Sequence, residues 1–202
     1  MAISLQKGQR ISLEKDGGSL KQLCVGVNWG AIEKKGLFGG KKKEAVDLDA
    51  SVAVLDDSGK VLDVVYFGQL ASSCGGIKHS GDDRTGDLDG DDGLDNEVIM
   101  VDFGSLNPQA TQIGFLLNSF QGHDFKNIPF ASIRLYSGTP QRVDDIHAQF
   151  DIANDPKFAG SVSMVMGKAY KHASGWKFAA IGETTADRKL EETIKTFAGS
   201  YL

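Results

Sequence analysis

Cys24 and Cys74 are the only cysteines in this sequence. Two thiols cannot close a structural zinc site, and these two lack the close spacing of a redox pair. No disulfide framework is available either, which fits a reducing compartment. Cys24 lies inside the apolar run Leu23-Cys24-Val25 and reads as core. No apolar stretch approaches the ~20 residues of a membrane-spanning helix. The opening residues, MAISLQKGQRISLEK, have no apolar centre of the secretory kind. Together these absences predict a soluble, cytoplasmic chain that is not membrane-spanning.

Catalytic signatures are also missing. There is no GxSxG, and the four histidines (His79, His123, His147 and His172) are scattered. His79 reads as an exposed loop histidine. Gly40-Lys41 invites comparison with a phosphate-binding loop. That pattern fails, because Lys35 stands where glycine is required and Lys42 where Ser or Thr is required. A basic face is missing too. Net charge is −5, and residues 79–98 alone hold eight of the 27 acidic residues against one of the 22 basic ones. The remainder, 19 acidic and 21 basic, is nearly balanced. The negative charge is local, which argues for a cation and against nucleic acid as partner.

What is present is the stretch His79–Val98, HSGDDRTGDLDGDDGLDNEV. Asp82, Asp83, Asp87, Asp89, Asp91, Asp92, Asp95 and Glu97 alternate with glycines, and Arg84 is the single base. Gly, Asp and Asn favour turns, so no regular element spans it. Two carboxylates ~4 Å apart repel by roughly 4 kcal/mol at the effective dielectric of a protein surface. A compact form of this loop therefore needs a cation, and oxygen-only ligands on a bendable backbone suit Ca²⁺. A solvated acidic run that binds nothing is the plain alternative. The interleaved glycines, the flanking strand-like segments and the second acidic pair, Asp47 and Asp49, favour metal. The candidate ligands are Asp47, Asp49, Asp82, Asp83, Asp87, Asp89, Asp91, Asp92 and Glu97. The loop is no EF-hand, since a start at Asp87 puts Asp92 where glycine belongs and Val98 where Glu belongs.

Glycine is abundant, at 25 residues, which points to many turns and a β-rich fold. Alternation around Gly8 predicts a hairpin over Ile3–Leu13, turning at Lys7-Gly8. Strands are expected over 22–29, 47–56, 61–67, 97–103 and 112–120. Two more hairpins are expected, 133–136 with 143–152 and 161–170 with 176–181. Residues 30–44 read as a solvated basic loop with Leu37-Phe38 at its tip. Asp187–Phe197 reads as a helix capped by Thr184 or Thr185 and ended by Gly199. LCVGVNWG followed by DASVAVLDDSGKV is echoed by IGFLLNSF followed by FASIRLYSGTPQRV, matching Asn28 with Asn118 and Ala50 with Ala131. The expectation is a single all-β domain over 1–202: a two-sheet β-sandwich of two diverged internal repeats, about 1–105 and 106–202, with a C-terminal helix.

Leu5-Gln6-Lys7-Gly8, Val25-Gly26-Val27-Asn28-Trp29, DLDAS (47–51), HSGDDRTGDLDGDD (79–92) and GWKFAAIGE (175–183) resemble the TerD family of tellurite-resistance and stress-response proteins. The likeness runs over nearly the whole chain. It implies a bacterial, cytoplasmic, Ca²⁺-binding β-sandwich in which Asp47 and Asp49 join Asp82, Asp89, Asp91 and Asp92 around the ions. It also implies a non-catalytic role with other tellurite-resistance and stress proteins as partners, in membrane-associated complexes. The sequence departs from the family motif at Asp83, at Asp87-Leu88, and at Gly93–Asn96 before Glu97. A metal-dependent hydrolase of phosphorylated small molecules and a metal-free acidic scaffold are the alternatives.

Overall fold

A computed structural model describes residues 3–4, 8–15, 18–35, 40–152 and 156–202. Two six-stranded sheets carry the chain. The first runs β1 (Ile3–Ser4), β14 (Arg142–Asp151), β13 (Ala131–Thr139), β5 (Gln22–Trp29), β11 (Glu97–Asp102), β10 (Ile77–His79). The second runs β2 (Arg10–Ser12), β16 (Gly175–Thr185), β15 (Ser163–His172), β12 (Gln112–Ser119), β8 (Leu48–Leu55), β9 (Val61–Val65). Two small hairpins, β3 (Glu14–Lys15) with β4 (Gly18–Ser19) and β6 (Ile32–Lys35) with β7 (Lys41–Glu44), lie outside them.

Side chains alternate along a strand, so each strand gives one set to the space between the sheets. Val25, Val27 and Trp29 of β5 meet Leu48, Ala50, Val52 and Val54 of β8 in a single buried cluster, with Phe115 and Phe178 from the second sheet. The opposite set of β8, Ala53 and Leu55, packs on Ile194 and Phe197 of helix α1 (Leu190–Ser200). α1 therefore covers the outer face of the second sheet. On the outer face of the first sheet, Cys24, Val98 and Tyr136 form a smaller cluster.

Four strands of each sheet stand in matching order. Exchanging β5 for β12, β8 for β13, β9 for β14 and β11 for β15 turns the run β14-β13-β5-β11 into β9-β8-β12-β15. Register differs between the two runs, since Asn28 lies opposite Ser132 but Asn118 lies opposite Asp49.

Three expectations are corrected. Among the described residues of 3–13, β1 and β2 do not pair with each other: β1 pairs in parallel with β14, whereas β2 pairs with β16 in the other sheet, and Lys7 of the expected turn lies outside the described residues. Each finds a free sheet edge, a non-local partner that alternation cannot reveal. The basic segment at 30–44 is a hairpin as far as it is described, with Glu33 opposite Lys43 and Ile32 opposite Glu44. Leu37-Phe38 lies outside the described residues. The helix begins after Lys189 without a side-chain cap and runs through Gly199. Thr184 and Thr185 are instead paired with Met164 and Ser163 in the β15–β16 ladder.

Candidate metal centre

The acidic loop leaves β10 and returns through β11, so both its ends are fixed in the first sheet. Backbone hydrogen bonds stitch its middle to the end of β5 and to Val46, just before β8. Asp87 N–H donates to Trp29 O at 3.0 Å, Ala31 N–H to Asp87 O at 3.2 Å, and Val46 N–H to Thr85 O at 3.1 Å. Gly86 makes this approach possible. Its φ is +64°, and a Cβ there would stand 2.5 Å from the Trp29 ring. The indole itself donates to Val46 O at 2.8 Å.

Two carboxylate clusters result. Asp47, Asp49 and Asp82 each offer an oxygen within 4.8 Å of the others, and Asp87, Asp91 and Asp92 do the same. Asp47 and Asp49 share the outer-facing parity of Ala53 and Leu55, so the first cluster opens on the outside of the second sheet. Asn28 has the outward parity of Cys24 on β5, and its Nδ2 donates to Asp91 Oδ1 at 2.9 Å. The second cluster therefore lies toward the outside of the first sheet. The loop wraps the end of the sandwich between them.

The first cluster sets two buried carboxylates beside the exposed Asp82 and is electrostatically loaded. Asp47 and Asp49 are buried, and Asp47 Oδ1 has no hydrogen-bond partner. An unpaired carboxylate oxygen is costly to bury. Burial, and next the Asp82 charge, raises the Asp47 pKa. Burial, and next the charges of Glu97, Asp47 and Asp82, pushes Asp49 up to about 7. Arg84 lines the same small cleft, about 160 Å³, and its charge acts against the rise at Asp47.

The second cluster is more open and better bonded. Asp91 Oδ1 also accepts Gly93 N–H at 2.8 Å, and Asp92 Oδ1 accepts Leu94 N–H at 2.8 Å. Asn96 Nδ2 donates to Asp87 Oδ1 at 3.1 Å. Asn28 Oδ1 is buried and has no partner. Burial raises the pKa of Asp87.

The other candidates stand apart from both clusters. Asp83 Oδ1 accepts Thr85 N–H at 2.9 Å, Gly86 N–H at 3.0 Å and the Thr85 hydroxyl at 3.0 Å. Against the opposing effect of burial, these bonds hold its pKa below the usual carboxylate range. Asp89 is fully exposed and pairs with Lys43 at 3.0 Å. Glu97 is fully buried. Its Oε2 accepts Ala50 N–H at 2.7 Å, and its Oε1 accepts Asp83 N–H at 3.2 Å.

His79 is the clear departure from expectation, being buried on β10. Gly81 N–H donates to its Nδ1 at 3.1 Å, so Nε2 carries the proton. Nε2 reaches Ala50 O at 3.1 Å and Glu97 Oε2 at 3.3 Å.

Sequence reasoning missed three supports of the loop: Asn28, Asn96 and the pair Asp95–Arg134. Asn96 Oδ1 accepts Trp29 N–H at 2.7 Å while its Nδ2 holds Asp83 and Asp87. Arg134 Nε lies 2.8 Å from a buried Asp95 carboxylate, and Arg134 Nη2 donates to Gly93 O at 3.0 Å. A Cβ on Gly26 would occupy the position of the Asp95 carboxylate. The available signal was parity: Gly26, Asn28 and Arg134 share the outer face of one sheet.

These features define a two-sheet β-sandwich with carboxylate clusters on a glycine-stepped loop across one end. The chain belongs to the TerD-domain family, whose model matches residues 1–197. It is 37% identical to the Stress response protein SCP2 of Bacillus subtilis (strain 168), over 98% of this chain and all of that protein. It is 33% identical to the Tellurium resistance protein TerZ of Serratia marcescens, over 94% of each chain. The relatives bear resistance and stress-protein names. A crystal structure of a homologue of telluride resistance protein (TerD) from Streptomyces coelicolor A3(2) shares the fold. It has a TM-score of 0.61 at 17% identity and covers 89% of this chain and 96% of that one.

Proposed function

We propose that this chain is a calcium-binding, non-catalytic stress-response module of the tellurite-resistance type. Asp47, Asp49 and Asp82 would hold one ion, and Asp87, Asp91 and Asp92, with the carbonyl of Asn28, a second. The observation that carries the reading is Asp47 Oδ1, a buried carboxylate oxygen without a partner beside two further carboxylates. Oxygen donors of this kind suit a hard cation of flexible coordination. A bound Ca²⁺ supplies positive charge and a cross-link between the start of β8 and the loop. Asp83 and Asn96 position the loop backbone, and Glu97 anchors it to β8. The ordered loop then offers a fixed surface to other cytoplasmic stress-response proteins, including those of membrane-associated complexes. The names of the relatives support the stress role.

Isothermal titration tests the reading. Saturable Ca²⁺ uptake is expected, with one site lost in Asp47→Asn/Asp82→Asn and the other in Asp91→Asn/Asp92→Asn. Unchanged uptake in both double variants would overturn it.

A further inference from the structure

A second cleft, of about 300 Å³, lies between the outer face of the second sheet and the first turn of α1. That volume is at the lower end of ligand sites, which run to roughly 300–1,000 Å³. One lining side chain is buried and unsatisfied. Asn118 has the outward parity of Leu116 on β12, is 8% exposed, and its Oδ1 has no hydrogen-bond partner. The orientation of the Asn118 amide is fixed by its neighbours. Thr193 Oγ1 donates its single proton to Lys189 O at 3.1 Å, so it must accept from Asn118 Nδ2, also at 3.1 Å. Nδ2 donates to Ser163 Oγ as well, at 2.7 Å. The acceptor, Oδ1, is the end left over.

The remaining walls complement that acceptor. The Phe67 and Phe120 rings meet edge to face with centroids 5.8 Å apart, and Phe120 is 64% exposed. At the other side α1 starts without a side-chain cap, and Arg188 and Lys189 stand beside that end. Two cations at a helix N-terminus oppose its dipole; Glu192, whose Oε2 accepts Arg188 N–H at 2.9 Å, offsets part of this, and a bound anion adds to it. Glu191, on the same rim, sets a limit on the charge the cleft accepts. Asp49 lies at the border with the metal cluster.

We propose that this cleft binds a small planar organic anion: a ring against Phe67 and Phe120, an N–H or O–H donor to Asn118 Oδ1, and a carboxylate or phosphate at the start of α1. The site stands on Asn118 and does not require the ion.

The test is a protein NMR titration of the full chain in chelator, repeated in Ca²⁺, with 4-aminobenzoate, benzoate, aniline and inorganic phosphate as probes. 4-Aminobenzoate is expected to bind with Kd of about 1 mM or tighter, as its size allows. It should move the Asn118 side-chain amide and the Leu190 and Glu191 backbone amides. Benzoate, without the donor, and aniline, without the anion, should each bind several-fold more weakly. Phe120→Ala, at an exposed position, should weaken 4-aminobenzoate about tenfold through the lost ring contact. No saturable shift by about 10 mM would overturn the proposal. So would inorganic phosphate matching 4-aminobenzoate, since the cleft would then hold an anion without reading a ring. So would an affinity that Phe120→Ala leaves unchanged.

Discussion

Glu97, on the first sheet, accepts the backbone N–H of Ala50, on the second, at 2.7 Å. His79 takes the carbonyl of the same residue at 3.1 Å. β9 covers β8 only from Val52 onward, so Ala50 has lost its ladder partner on that side. Two side chains from the facing sheet replace the missing strand and close the sandwich beneath the acidic loop. Glu97→Gln keeps the size but turns one acceptor into a donor. It should cost about 1–3 kcal/mol, the range for an unsatisfied buried group. Urea denaturation in chelator measures it, and an unchanged midpoint would deny the pair a structural role.

Calcium should raise the melting temperature well above its value in chelator, by mass action on the native state. Mg²⁺ should raise it less, because it demands tighter octahedral geometry. Equal shifts with both ions would point to general screening of the carboxylates.

The pH dependence follows from Asp49, whose carboxyl is pushed up to about 7 by burial and next by Glu97. In the unfolded chain an Asp titrates near ~3.9. The folded state holds this proton more tightly, so in chelator its contribution to stability is full below the unfolded value. That contribution is lost as pH rises through about 7. A cation needs the ionised form, so calcium affinity at the first cluster should rise over the same window, with proton release. Titration in two buffers of different ionisation enthalpy counts the proton. A flat affinity would remove Asp49 from the site.

Gly86→Ala should destabilise the loop against β5. The substitution is strained at φ +64° and drives a methyl into Trp29. A cost of about 1–3 kcal/mol is expected, the range for a residue held in a sparsely populated backbone region. Hydrogen exchange at Asp87 and Ala31 reports it locally. Protection equal to the native chain would mean the loop is held elsewhere.

Asp89→Ala is the contrasting case. The carboxylate is fully exposed and, among the described residues, pairs across the surface with Lys43. Such pairs add little. Stability and calcium stoichiometry should both be unchanged, and a lost ion would return Asp89 to the ligand set.

Much of this was legible in the chain. Short apolar runs located β5, β8, β11 and β12, because a strand buried on both faces is apolar along nearly its whole length. Asp47 and Asp49 share a side because strand side chains alternate. Glycine-stepped aspartates marked the loop, since those residues resist both helix and ladder.

Partnership across the sheets was not legible. Glu97 has the inward parity of Ile99 and Val101, yet a carboxylate at such a position makes sense only once Ala50 and His79 are known to face it. His79 looks like a loop residue until Ile99 pairs with it across β10 and β11. The N-terminal strands separate because each finds a different sheet edge, and local alternation is the same for either choice. The sequence by itself determined the long strands and where the negative charge is concentrated. Only the tertiary structure decided which carboxylates meet as clusters and which became hydrogen-bond acceptors. That choice depends on contacts between residues far apart in the chain, and residue order carries no record of the distance between them.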